Sequence, residues 1–412
     1  MAGLLNRILI GVACVSMALM ASSPASAQFG GGGGGGGFGA FGGMGGPQIN
    51  RQQLEEYANL LGLDADQREV AQLMLEEYID GVQTAMDAIR EAGQKARQEF
   101  QETRDPTVFE GLREIGERTQ SRMRTLETQF MSDLKTLLTP EQEQTWTKVE
   151  LVHRRTTLLP RGLMSGERVD LFAIVKGLQL DGNAAQEVGT VLMDYELALD
   201  RALAARDGLF EQGMALFRDN NFEALEGHFV KARDASTRVR ETHRTYARRL
   251  EAILPSDALE TFRTEVNRAS FPTVFRESRA ERALAAARGL ADLSDDQRSR
   301  LEGIAVLAAR QIDQVNRRLA DAIESNENNM TMQSMMRMGG GREGADRELF
   351  AEKRTLVDRT IEQVRGILTE SQTAQIERSL GSEREGERGR AQQREGGRGG
   401  QQQPQRAPRR EL

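Results

Sequence analysis

The chain is 412 residues long, carries a formal net charge of −7 and has a sequence pI near 5.4. This length allows about two to four domains, and the lack of a global basic field argues against nucleic acid as a specific partner of the folded part. With aromatics at 5% and few runs of Val, Ile and Thr, the composition predicts an all-α protein whose interior is Leu, Ala, Met and Val carried on helices.

Residues 1–27 read as a secretion signal: Arg7 gives a positive start, Ile8 to Met20 is apolar, and Ala25-Ser26-Ala27 before Gln28 is a small-x-small cleavage site. The expectation is a periplasmic or secreted protein cleaved after Ala27. Cys14, the only cysteine, lies within the apolar stretch, and Gly11-Val12-Ala13 before it makes a poor lipidation signal, so the mature chain has no thiol chemistry. No later run of about 18 apolar residues follows, so no transmembrane span is expected after cleavage. Residues 28–49, almost pure glycine from Gly30 to Gly46, read as a flexible linker that cannot offset its ordering entropy by burial.

From residue 50 a signature of a leucine, a helix-capping residue and usually a glutamine recurs. It opens at Leu63-Asp64-Ala65-Asp66-Gln67 and closes at Leu138-Thr139-Pro140-Glu141-Gln142; it recurs in weaker form at Leu180-Asp181 and Leu254-Pro255-Ser256. A third pair is Leu293-Ser294-Asp295-Asp296-Gln297 with Leu368-Thr369-Glu370-Ser371-Gln372. Opening leucines are about 117 and 113 residues apart, which predicts three tandem units, residues 50–160, 161–272 and 273–380.

Between the signatures the apolar residues step by threes and fours, the spacing of long helices packed side by side. Leu75, Tyr78, Val82, Met86 and Ile89 run out; Leu112, Ile115, Met123, Leu126, Phe130 and Leu134 return, with a break at Arg104-Asp105-Pro106. Phe222, Leu225, Phe229, Ala232, Ser236, Val239 and His243 mark the second return after Asp219-Asn220-Asn221. A shorter helix is expected before each opening signature, around Leu54, Leu171 and Leu284, and another after each closing one. Each unit is therefore expected to be four helices built on a long antiparallel hairpin, with hinges near Pro160-Arg161-Gly162 and Phe271-Pro272.

The signature itself reads as a capping box. Asp64, Thr139, Ser294 and Thr369 each accept a backbone N–H, while Gln67, Gln142, Gln297 and Gln372 reach back to the cap, and Leu63, Leu138, Leu293 and Leu368 anchor each turn. In the second unit Gln186 is displaced by one residue, and Ser256 is expected to cap after Pro255 with no glutamine following.

With paired Leu-Thr-x-x-Gln turns framing long central helices over residues 50 to 380, the chain resembles the LTxxQ-motif, Spy/CpxP-like family of exported bacterial helical proteins. That resemblance implies a periplasmic helical protein that binds unfolded chains without ATP, or that senses envelope or metal stress. Members of the family form cradle-shaped homodimers, whereas three tandem units could build a comparable surface in one chain, so self-association stays open.

Arginine recurs beside apolar positions, as at Arg122-Met123-Arg124, Arg238-Val239-Arg240 and Arg244 to Arg249. The expected reading is a snorkelling, solvated face, which is also what a client-binding surface would display. Between the last two long helices, Met330, Met332, Met335, Met336 and Met338 place five thioethers in nine residues. Soft sulfur suits Cu(I) or Ag(I), and the same loop also reads as an adaptable contact patch. His153, His228 and His243 are the only histidines and are scattered; His243 falls on an apolar stripe, where a satisfied core histidine is expected. One Glu-x-x-His, Glu150 to His153, falls short of the two a di-iron bundle needs. No catalytic motif is present, so no enzyme and no cofactor are expected, with Cu(I) on the Met segment as the alternative reading. Residues 381–412, rich in Arg, Gly and Gln, read as a disordered tail. Three roles follow as expectations: an ATP-independent chaperone or stress adaptor binding unfolded or envelope proteins, a metal-responsive binding protein, and a structural envelope spacer.

Overall fold

The computed structural model describes residues 48–219, 221–337 and 345–378. The signal segment, the glycine-rich segment through residue 47, Met338 and the tail 381–412 lie outside the described residues. The fold is all-α, with no strand among the described residues, and none of their helices is long and apolar enough to cross a membrane. These residues fall into two compact units. Among the described residues, one takes in 48–273 and 323–337; the other holds Val274–Ala322 and 345–378.

The first unit opens with α1 (Arg51–Leu61), started by an Asn50–Gln53 capping box and stopped at Gly62, whose φ of 62° puts it in the left-handed region that glycine enters without strain. Helix α2 (Ala65–Thr103) runs 39 residues, about 58 Å at 1.5 Å per residue. It buries Ala71, Leu75, Tyr78, Val82 and Ile89 along one stripe and ends where Arg104 turns left-handed ahead of Pro106. After a 3₁₀ turn (Pro106–Phe109), α3 (Glu110–Thr136) returns antiparallel, followed by the one-turn α4 (Pro140–Glu143) and α5 (Trp146–Leu158). Tyr57, Leu75, Val82, Leu134 and Val149 are fully enclosed in the core these helices share.

The second long hairpin, also in this unit, is α6 (Leu171–Gly177), α7 (Gly182–Arg218), α8 (Phe222–Glu251) and α9 (Ser256–Ser270), around Leu171, Tyr195, Leu199, Leu203, Leu250 and Phe262. One capping expectation fails here. Pro255, not Ser256, is the N-cap of α9, and Ser256 is the first helical residue, so its hydroxyl makes no cap bond. The proline ring holds residue 255 at φ −57°, and the helix begins directly behind it.

The second unit contains α10 (Arg279–Arg288), α11 (Asp295–Asn328) as far as Ala322, α13 (Ala345–Arg365) and α14 (370–378). Leu284, Leu301, Ala305, Val364 and Ile376 form one apolar cluster, and Ala283, Ile312, Val357 and Ile361 another. The last turns of α11 and the short α12 (Met332–Arg337) belong to the first unit.

Candidate functional site

The capping boxes form where the sequence places them, and their glutamines do more than cap. At the start of α2 Gln67 N donates to Asp64 Oδ1 at 2.8 Å while Asp64 N donates to Gln67 Oε1 at 3.1 Å; Thr139 and Gln142 make the same exchange at the start of α4. These bonds occupy each glutamine's oxygen and leave its NH₂ group free. The two NH₂ groups turn toward each other. Gln67 Nε2 donates to Gln142 Oε1 and Gln142 Nε2 donates to Gln67 Oε1, both at 2.9 Å. Gln67 also donates to Leu137 O at 2.7 Å and Gln142 to Gly62 O at 3.1 Å. A reciprocal amide pair thus clamps the two turns, with buried Leu63 and half-buried Leu138 packed on the core beneath.

The second unit builds a matching clamp with one amide–amide bond in place of two. Ser294 and Thr369 cap and receive their glutamines' return bonds, Gln297 Nε2 reaches Gln372 Oε1 at 2.9 Å and Ile367 O at 3.0 Å, and Gln372 Nε2 reaches Asp292 O at 3.2 Å. The sequence separations of 75, 70 and 80 residues match those of the first clamp. Leu293 is buried and Leu368 packs against the same cluster. The α7–α9 hairpin has no such pair: Asp181 makes no side-chain cap bond, and Gln186 is exposed. These amides carry no charge and no nucleophile; their chemistry is to hold two helix starts in register.

The second hairpin instead concentrates charge in its interior. Arg206 and Glu167, both fully enclosed, pair at 2.9 Å; the other Glu167 oxygen accepts Leu163 N at 2.8 Å and Met164 N at 2.7 Å, and Arg206 also donates to Leu158 O. Gly166, at φ 81°, lets this loop turn against the Arg240 side chain. Arg240, 1% exposed, pairs with Glu327 at 3.0 Å and bonds Asn328, while Ser165 donates its N–H at 2.9 Å and its hydroxyl at 2.7 Å to the other Glu327 oxygen. Burial pushes the Glu327 carboxyl up, whereas the Arg244 guanidinium bonded to Glu324 holds that carboxyl down. His243 accepts from Tyr195 Oη at Nδ1, 2.8 Å, and donates from Nε2 to Glu167 O at 3.1 Å. Burial drives its pKa down to about 4, so the ring is neutral.

These residues correct the solvated-face expectation for Arg240 and were not anticipated for Arg206 or Glu167. A signal existed: Arg206 follows Leu199 and Leu203 on the buried stripe of α7, and Arg240 lies four residues from Ser236 and three from His243 on that of α8. Buried in turn, Arg155 joins Glu196 at 2.8 Å and lies 4.0 Å over the Phe172 ring. His153 sits between Tyr57 Oη at 3.0 Å and Glu127 at 2.9 Å, and His228 meets Leu209 O at 2.6 Å, so the three histidines stand apart with separate partners.

Among the described residues no group of three or more His, Cys, Asp and Glu side chains gathers. In the Met segment, Met330 O accepts from Arg233 at 3.1 Å and Met332 is half-buried at the start of α12, which also carries Met335 and Met336. Met338 lies outside the described residues.

No family model matches the chain. No curated protein and no solved structure matches it either. The likeness to LTxxQ proteins therefore rests on the motif residues themselves.

Proposed function

We propose that this chain is an exported, ATP-independent chaperone or stress adaptor that holds unfolded or partner proteins on exposed apolar patches of its long helices. The observation that carries the reading is where large apolar side chains are left in water. Of the seven exposed ones among the described residues, six lie on the first long helix of a hairpin: Val70 and Leu73 on α2, Met193 and Leu197 on α7, Val306 and Leu307 on α11; Leu60 on α1 is the seventh. Scattered exposed leucines are ordinary, but a pair on each of three corresponding helices, amid charged neighbours, offers weak and repeated contact to an exposed segment of another chain. We further propose that three copies of one four-helix unit build these helices; the matched separations of the two glutamine clamps support this, as does the motif resemblance.

The test is light scattering of a reduced, aggregating client with the purified chain, without ATP and with a chelator present. Suppression near equimolar ratio, weakened in a variant carrying Leu73→Ser, Leu197→Ser and Leu307→Ser, is the expected outcome. No suppression by a well-folded chain overturns the reading.

A further inference from the structure

The α7–α8 hairpin carries an open groove of about 500 Å³ whose composition names its occupant. Its floor is Ala198, Ala202 and Ala205 from α7 and Ala235 from α8, closed at one end by Tyr246. The three α7 alanines step by four and three, the spacing at which the side chains of a third helix interdigitate. On the same helix Leu197 and Met193 are 50% and 61% exposed. Along α8 the groove runs from Ala235 to Tyr246, roughly 16 Å of helix axis or three turns.

The rims carry the second observation. Arg201 on the α7 wall and Arg238 on the α8 wall are exposed, and neither guanidinium meets a carboxylate among the described residues. Arg244, farther along α8, is by contrast tied to Glu241 at 3.0 Å and to Glu324. Glu241, the one acid lining the groove, is engaged by Arg244. Arg249 adds positive charge at the Tyr246 end, 4.7 Å over the ring. An apolar floor between two unpaired cations complements an apolar stripe with acids on both sides.

We infer that this groove docks an acidic amphipathic helix of a partner protein, about three turns long, with small or apolar side chains along one stripe and carboxylates flanking it to meet Arg201 and Arg238. The inference rests on the proposed binding role and names the class of segment one surface selects. Because the charges sit on the rim, they set specificity and salt sensitivity while the floor supplies contact area.

Two labelled 18-residue helical peptides with the same Leu/Ala stripe, one flanked by Glu and one by Lys, test it by fluorescence anisotropy against the full chain. The Glu peptide is expected to bind at least ten-fold tighter at low salt. Arg201→Glu with Arg238→Glu should reverse the preference, and Ala202→Trp, which fills the floor, should abolish binding of both while circular dichroism melts stay unchanged. If Ala202→Trp disturbs the melt, the charge-reversal pair alone decides. Equal binding of the two peptides, a preference untouched by charge reversal, or binding to phosphatidylglycerol vesicles but to neither peptide overturns the inference. Client aggregation measured in parallel separates the two claims: suppression without peptide discrimination overturns only the groove, and discrimination without suppression overturns only the chaperone reading.

Discussion

The first and second long hairpins share one unit and nearly one length of helix, yet their polar groups are spent differently. In the first, Gln67 and Gln142 join the starts of α2 and α4 through uncharged amides. In the second, the starts of α7 and α9 have neither side-chain caps nor an amide pair, and the polar structure lies inside, where Arg206, Glu167 and His243 fasten the loop leading into α6. A neutral pair satisfies its own donors and acceptors and ignores pH. A buried ion pair and a buried neutral histidine hold a loop more stiffly but depend on protonation and on each partner's presence.

Four experiments break or sharpen that contrast, the largest effect first. Arg206→Met strands Glu167 in the interior and should cost about 3–5 kcal/mol in urea unfolding, with Glu167→Gln in the same chain recovering part of the loss. A cost below about 1 kcal/mol would show that the pair is not the fastening of the second hairpin.

His243 gives the next effect. Its folded pKa of about 4 lies below the ordinary 6.5, so the unfolded chain takes up a proton that the folded one, with Tyr195, Glu167 and Arg206 around the ring, refuses. Stability from this group is intact above pH 6.5 and falls by about 3 kcal/mol as pH drops toward 4. His243→Gln should flatten that part of the Tm–pH curve; parallel curves for the two proteins would remove the histidine from the account.

For the first hairpin, Gln67→Ala should cost about 1–3 kcal/mol by removing the donor to Leu137 O and the Gln142 amide's bonds across the two turns, with no pH dependence of its own. A cycle with Gln142→Ala should show coupling of about 0.5–3 kcal/mol, and Gln297 with Gln372 should repeat it; additivity would dissolve the clamp. The smallest effect compares two aspartates in the same N-cap position. Asp64→Ala should cost about 1 kcal/mol, while Asp181→Ala, which removes no cap bond, should fall within about 0.5 kcal/mol of zero in thermal melts.

Much of this was legible before any coordinates. Alternating steps of three and four trace the buried stripes of α2 and α8, and Arg104-Asp105-Pro106 marks the tip of the first hairpin, because helix periodicity and proline sterics act over a few residues. Capping boxes are equally local, apart from Ser256, where the proline in front displaced the helix start. What escaped was action at a distance. A glutamine whose oxygen is engaged at its own cap still has two free N–H groups, but only the folded hairpin shows that they meet another glutamine 75 residues away. Arg206 and Arg240 escaped because arginine on a helix is usually solvated, although both stand in step with buried neighbours. That Arg201 and Arg238 meet no carboxylate among the described residues was likewise invisible from the sequence alone.

The glutamine clamp also acts as a length gauge. Inserting one residue in α2 or α3 swings everything beyond it by about 100° around the helix axis, so Gln67 and Gln142 would no longer face each other. Additions and deletions should therefore be tolerated at the tip between Thr103 and Glu110, where the chain leaves regular helix, and rejected along the shafts. The same spacing gives the clamp a place in time. Whatever order the helices form in, Gln67 stays open until Gln142 has been made and brought back, so closing this pair reports that the whole hairpin is present and in register.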